Sequence, residues 1–145
     1  MGSQIRTLSP AAEAWDLMQG LLRSSRQRFL AIAQEFELSP PQIAALRALD
    51  PERPVAMSEL AGRLCCDNSN VTGIVDRLED RGLVERRSAE HDRRVKMLVV
   101  TEAGAELRER LHQRLCEPPP AFAALPDEDQ LALRDIMRRA RGLGA

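Results

Sequence analysis

The run Asn68-Ser69-Asn70-Val71-Thr72-Gly73 sets small hydrogen-bonding side chains one after another. A carboxamide such as that of Asn70 can donate to and accept from the edge of an adenine, and Ser or Thr hydroxyls suit a base or a phosphate. The same residue types are ordinary capping chemistry at a helix start, so alone the run leaves both readings open. Further along, Arg86, Arg87, Arg93, Arg94 and Lys96 stand against Glu90 and Asp92, a surplus of three positive charges between residues 86 and 96. Guanidinium groups pair bidentately with phosphates and are drawn into narrow minor grooves. Asp92, two residues before Arg94, is placed to brace that guanidinium. A charge run of this kind is also the usual look of a solvated hairpin, so its neighbours must decide.

Other chemistries find no footing. No nucleophile elbow, Gly-rich phosphate loop or paired carboxylates with a spacing rationale occur, which argues against an enzyme and leaves no catalytic residue to name. Cys65 and Cys66 are adjacent, with Cα atoms about 3.8 Å apart, closer than a disulfide ordinarily allows. There is no C-x-x-C, and His91 and His112 show no ligand spacing with the cysteines, so neither a metal nor another cofactor is expected. Cys65, Cys66 and Cys116 read as small apolar core residues.

The elements that must position the two stretches follow from periodicity. Residues from about 11 to 37 read as one long helix, with Trp15, Met18, Leu22, Phe29, Ile32 and Phe36 recurring at three- and four-residue steps. Leu17, Leu21 and Leu30 widen that stripe beyond what one small domain covers, so a partner helix is expected. Ser39 caps the next helix and Pro40 opens it. Ile43, Leu46 and Leu49 mark its buried side, and Asp50-Pro51 ends it. A loop from Glu52 to Val55 leads to a two-turn helix from Met57 to Leu64. The turn Cys65-Cys66-Asp67 follows, with Asp67 a cap candidate for a helix running to about Arg81. Val71, Ile74, Val75 and Leu78 give that helix its apolar face, and Gly82 ends it in the left-handed conformation. Leu83–Arg87 and Val95–Val100 are β-prone and read as a hairpin with a charged tip. Thr101 caps a helix carrying Leu107, Leu111 and Leu115, broken by Pro118-Pro119-Pro120 near Glu117. A last helix is expected after Pro126, capped by Asp127 and burying Leu131, Leu133, Ile136 and Met137.

At 145 residues the chain suits one domain. Net charge is −1, so the distribution rather than the total of charge carries information. No apolar run approaches the roughly 20 residues of a membrane span, and no secretory pattern opens the chain. A cytoplasmic protein with no membrane partner is the expectation. The order short helix, turn, helix, basic hairpin is a helix-turn-helix followed by a wing. The fold class is therefore mainly α with a small β-hairpin wing: a winged helix-turn-helix domain plus N- and C-terminal dimerisation helices.

In Ser58-Glu59-Leu60-Ala61, in Asn70 to Val84, in Asp92-Arg93-Arg94-Val95-Lys96 and in Val99 to Gly104, the sequence resembles the MarR family of transcriptional regulators. Each piece is weak alone; the ordered set at these spacings is specific and covers nearly the whole chain. The resemblance implies a single domain over residues 1–145. Helices at about 11–37 and 101–141 would serve dimerisation, and a lobe at about 39–100 would bind duplex DNA. It implies a homodimeric repressor on a pseudo-palindromic operator, released by a small apolar or aromatic effector. Ser69, Asn70, Thr72 and Arg77 match recognition-helix contact positions, and Arg94 with Asp92 matches the wing motif. Arg87 and Arg93 complete the candidate DNA-binding set. Gly73 departs from the family, where a longer polar side chain such as Arg is usual. Trp15, Met18, Leu22 and Phe29 are candidates to line an effector pocket, though an apolar stripe is more often core. Leu131, Leu133 and Ile136 are candidate interface residues. Two alternatives stay open: a winged-helix module that docks protein, and a regulator that senses oxidants through cysteine.

Overall fold

A computed structural model describes residues 8–65 and 68–143. They fall into two units, residues up to Leu115 and residues from Cys116 onward.

The first unit begins with α1 (Pro10–Glu35), capped by the Ser9 hydroxyl, which accepts from the Ala12 backbone N–H. Its last turns are anchored: Ile32, Ala33 and Phe36 are buried. Its first half is not, with Trp15 56% and Leu22 59% exposed. Glu37 adopts φ 53° and turns the chain into α2 (Pro40–Ala48). Ser39 closes a reciprocal capping box with Gln42: the Gln42 Oε1 accepts from the Ser39 N–H at 2.8 Å, and the Ser39 hydroxyl accepts from the Gln42 N–H. This is how a glutamine comes to be buried without an unpaired amide oxygen.

The expected loop before residue 57 contains a strand. Val55–Ala56 forms β1, followed by α3 (Met57–Leu64) and α4 (Asn68–Asp80). The hairpin of β2 (Val84–Ser88) and β3 (Lys96–Val100) joins it in an antiparallel sheet of order β1-β3-β2. Leu98 faces Val55 on one side and Arg86 on the other. Two residues are too few to show alternation in sequence, which is why β1 read as loop. Residues buried completely, among them Leu46, Leu60, Val71, Val75, Leu78 and Leu98, pack the helices onto one face of the sheet. Each contributes on the order of 1.5–3 kcal/mol.

Gly82, at φ 69°, ends α4 as anticipated. The Thr101 hydroxyl accepts from the Gly104 N–H and donates to the Gly82 carbonyl, so it caps α5 (Glu102–Cys116) and ties it to the end of α4. Gly104 is required for packing: a Cβ there would overlap the Leu83 carbonyl oxygen.

The second unit holds the short α6 (Pro120–Ala123) and α7 (Asp127–Ala140). Phe122, Leu125, Leu133 and Met137 line a shallow groove between them. Two expectations are corrected here. Asp127 is the first helical residue and makes no cap hydrogen bond. Leu131, Ile136 and Met137 are exposed, because within this unit too little chain exists to cover a second face of α7.

Candidate nucleic-acid interface

The interface is built on α4, whose two faces differ sharply. Val71, Val75 and Leu78 are fully buried and Ile74 is half-buried, which fixes the helix on α2 and α3. Ser69, Asn70, Thr72 and Gly73 are exposed on the other side. The cap expected at Asp67, and Cys66 before it, lie outside the described residues. Cys65 ends α3 with φ 50° and is exposed, as is Cys116, so these two are not the core residues their type suggested.

Adjacent arginines on β2 have opposite fates. Side chains alternate along a strand, so Val84 and Arg86 face inward while Glu85 and Arg87 face solvent. Arg86 reaches across to α4, donating to Asp76 Oδ1 at 2.5 Å, Glu79 Oε1 at 2.8 Å and the Thr72 carbonyl at 3.2 Å. Its own backbone N–H donates to Glu79 Oε2 at 2.9 Å. Burial works against its charge, but the hydrogen bonds to Asp76 and Glu79 outweigh it and hold the Arg86 pKa above its ordinary value. Arg86 is therefore a latch between wing and helix, and the hairpin's positive surplus is smaller than a count of letters implies. Alternation from Val84 was the signal that could have separated it from Arg87.

Arg87 is exposed and pairs with Glu85 at 2.8 Å across a solvated surface. Asp92 does not brace the Arg94 guanidinium; its carboxylate accepts from the Arg94 backbone N–H at 2.9 Å. The Asp92 carbonyl accepts from Val95 N–H, and Ala89 N–H donates to the Val95 carbonyl, closing the wing turn. An Asp side chain that caps the following backbone fixes a turn and leaves the arginine tip outside it. The Arg93 and Arg94 guanidiniums are exposed and have no protein partner among the described residues. Lys96 donates to the Ser88 hydroxyl at 3.1 Å.

Thr72 and Arg94 come together. With Met57 and Ser58 at the start of α3, and Lys96, they line an open cleft of about 330 Å³. Arg77 goes elsewhere: seven residues beyond Asn70 it shares that residue's face, and it lines a cleft with Glu37, Ser39, Gln42, Asp80 and Arg81. Arg81 there donates through Nη1 to the Phe36 and Glu37 carbonyls, at 3.1 and 2.7 Å, fastening the end of α4 to the end of α1. The guanidinium of Arg110 sits 5.7 Å from the Phe36 ring centroid, a cation–π distance. Trp15, Met18, Leu22 and Phe29 occupy successive positions along one stripe of α1; only Phe29 packs against the buried core, and only in part. Among the described residues no cluster of His, Cys, Asp or Glu is arranged to hold a metal, and no helix is long and apolar enough to cross a membrane.

Comparison with known proteins agrees with this geometry. The family model described as "MarR family" matches residues 38–96, the segment from α2 through the wing. The chain is 49% identical over 83 residues to the transcriptional repressor MprA of Escherichia coli, covering 57% of this chain and 47% of that protein. Against the first of its curated relatives the aligned stretch spans 66%, 64% and 58% of their length, under two thirds in each. Among solved structures, a MarR family protein from Bacillus stearothermophilus superposes with a TM-score of 0.76 at 26% identity, covering 97% of both chains. NadR in complex with 4-hydroxyphenylacetate superposes at 0.61, also at 26% identity and covering 97% of both.

Proposed function

We propose that the chain is a member of the MarR family of transcriptional regulators, whose model it matches over residues 38–96, and that it is a homodimeric repressor binding duplex DNA at a pseudo-palindromic operator. The observation that carries the proposal is the two-faced α4: an apolar side sealed into the core, and a small polar side exposed beside Arg93 and Arg94 of the wing, which have no protein partner among the described residues. Ser69, Asn70 and Thr72, with Arg77 further along, would face base edges and phosphates of a major groove. Arg93 and Arg94 would reach the adjacent minor groove, and Arg87 would exchange its exposed partner Glu85 for a phosphate. Residues 39–100 serve as the DNA-binding lobe, and helices at 11–37 and 101–141 join two copies. The exposed apolar residues of α1 and α7 support that assignment. The homologous name "repressor" supports the sign of regulation. A small aromatic effector near Trp15, Met18, Leu22 and Phe29, enclosed when a second copy is present, is supported by the aromatic acid carried in the NadR structure.

Binding titrations at several salt concentrations test the proposal. Arg94→Ala should weaken operator and random DNA alike and flatten the salt dependence by about one contact. Asn70→Ala should cost about 1–3 kcal/mol on the operator and little on random DNA. Parental affinity and specificity in both variants would refute the assignment.

A second reading rests on Cys65, exposed in the turn before α4, where oxidation would displace that helix. DNA release under peroxide that persists unchanged in a Cys65→Ser, Cys66→Ser variant excludes it.

A further inference from the structure

Gly73 sits in the middle of α4, where glycine is the second-worst helix former, and no packing constraint accounts for it. A Cβ built there meets nothing within 4 Å. Its φ lies in the ordinary helical range, so the backbone does not demand glycine either. The result is a hollow on the exposed face, rimmed by the four nearest positions of the helix surface: Ser69 and Asn70 on one side, Asp76 and Arg77 on the other. The wall at Asp76 is fixed by its 2.5 Å bond from Arg86. A Cα lies about 2.3 Å from the helix axis whereas side chains extend to about 5–6 Å, so the hollow is up to about 3 Å deep. Its floor is apolar, because mid-helix N–H and C=O groups are committed to the helix and only the Cα hydrogens face outward.

We propose that this hollow receives the 5-methyl group of a thymine, making Gly73 a determinant of operator sequence. The inference rests on the DNA-binding reading above. Among the groups on the major-groove edges of the bases, the thymine methyl is the apolar one, and a floor without donors or acceptors suits no other. Asn70 and Arg77, on either side, then read the neighbouring pairs through hydrogen bonds. The recognition helix loses helix propensity at this position and gains a closer approach to one base.

The test needs no knowledge of the regulated genes. Preferred duplexes are selected from a random pool with the full chain, and each thymine is replaced singly by deoxyuridine, which differs only by the methyl. In the parent, one thymine per half-site should show an affinity loss of about fourfold, the value of one buried methyl. In Gly73→Ala the same exchange should be neutral or favourable, because the new Cβ fills the hollow. That variant should also melt a few degrees higher, since alanine is the better helix former and meets open space. Selection that returns no preferred sequence overturns the DNA-binding reading and this inference with it. A preferred sequence in which no thymine methyl distinguishes the parent from Gly73→Ala overturns the inference alone.

Discussion

Replacing Arg86 and Asp76 together, as Arg86→Met with Asp76→Asn, separates a latch from a DNA contact. The pair removes one charge of each sign and leaves the net charge at −1, so long-range attraction to DNA is unchanged. What is lost is the bond to Asp76, the bond to Glu79 and the bond to the Thr72 carbonyl. Glu79 keeps the backbone N–H of residue 86. The carboxylates of Asp76 and Glu79 are 54% and 39% exposed, so each ion pair is worth well under its Coulomb energy, about 0.2–1 kcal/mol. The hydrogen bond to a carbonyl adds up to about 1 kcal/mol. The expected loss is therefore about 1–2 kcal/mol, a fall in melting temperature of about 3–8 °C. A wing left free to depart from its pose binds more weakly by the inverse of the fraction of time it is in place, at most about fivefold per 1 kcal/mol lost. The slope of log affinity against log salt should not change, because Arg86 releases no counterion when it stays on the protein. Salt titration of the double variant beside Arg94→Ala is the assay. A slope reduced by about one in the double variant would place Arg86 on a phosphate and refute the latch.

Gly104→Ala should destabilise by at least about 1–3 kcal/mol in chemical denaturation, since α5 must retreat from the Leu83 carbonyl. Ile136→Glu, on the exposed face of α7, should leave helical content intact and lower the mass measured by light scattering to that of one chain. Glu59 offers a pH signature: its hydrogen bond from Arg53, opposed by desolvation and helped by the charges of Arg63 and Arg53, holds its pKa below the ordinary value. A depressed folded-state pKa means the stabilisation is present above the unfolded value near 4.5 and is lost as pH falls through the folded one. Acid unfolding of Glu59→Gln should thus lack part of the parent's pH dependence below about 4.5, and identical curves would contradict the pairing.

What could be read from the letters was whatever a few neighbouring residues decide among themselves. Ser39 and Gly82, and Thr101 in its capping of Gly104, act on backbone groups within three or four positions, and the apolar spacing of α4 is a property of one helix. What could not be read depended on distant partners. Arg86 and Arg87 are the same letter side by side; alternation from Val84 sets them on opposite faces, but the carboxylates that hold Arg86 lie on another element. Asp92 was assigned to the right neighbour and the wrong atom, because its short side chain reaches the Arg94 backbone before the guanidinium. The face of α7 was expected to be buried because it is apolar, and burial needs a surface to meet it. Gly73 was legible as a departure from a resembling family, whereas the emptiness around it required coordinates.

The fastening of Arg81 to the last carbonyls of α1 has a mechanical consequence. At about 1.5 Å per residue, the 26 residues of α1 make a rod of about 39 Å, packed on the lobe over its last turns at Phe29, Ile32, Ala33 and Phe36. Held by its far end, such a rod works as an oar: the lobe is the blade, and the Phe36–Glu37 corner is where the stroke is delivered. A pivot of 5° about the far end shifts that corner by about 3.4 Å, the rise of one base pair along the duplex. Because Arg81 ties that corner to the end of α4, a displacement there is felt by α4. If α4 reads DNA as proposed, a modest disturbance of the outer half of α1 is enough to put it one step out of register.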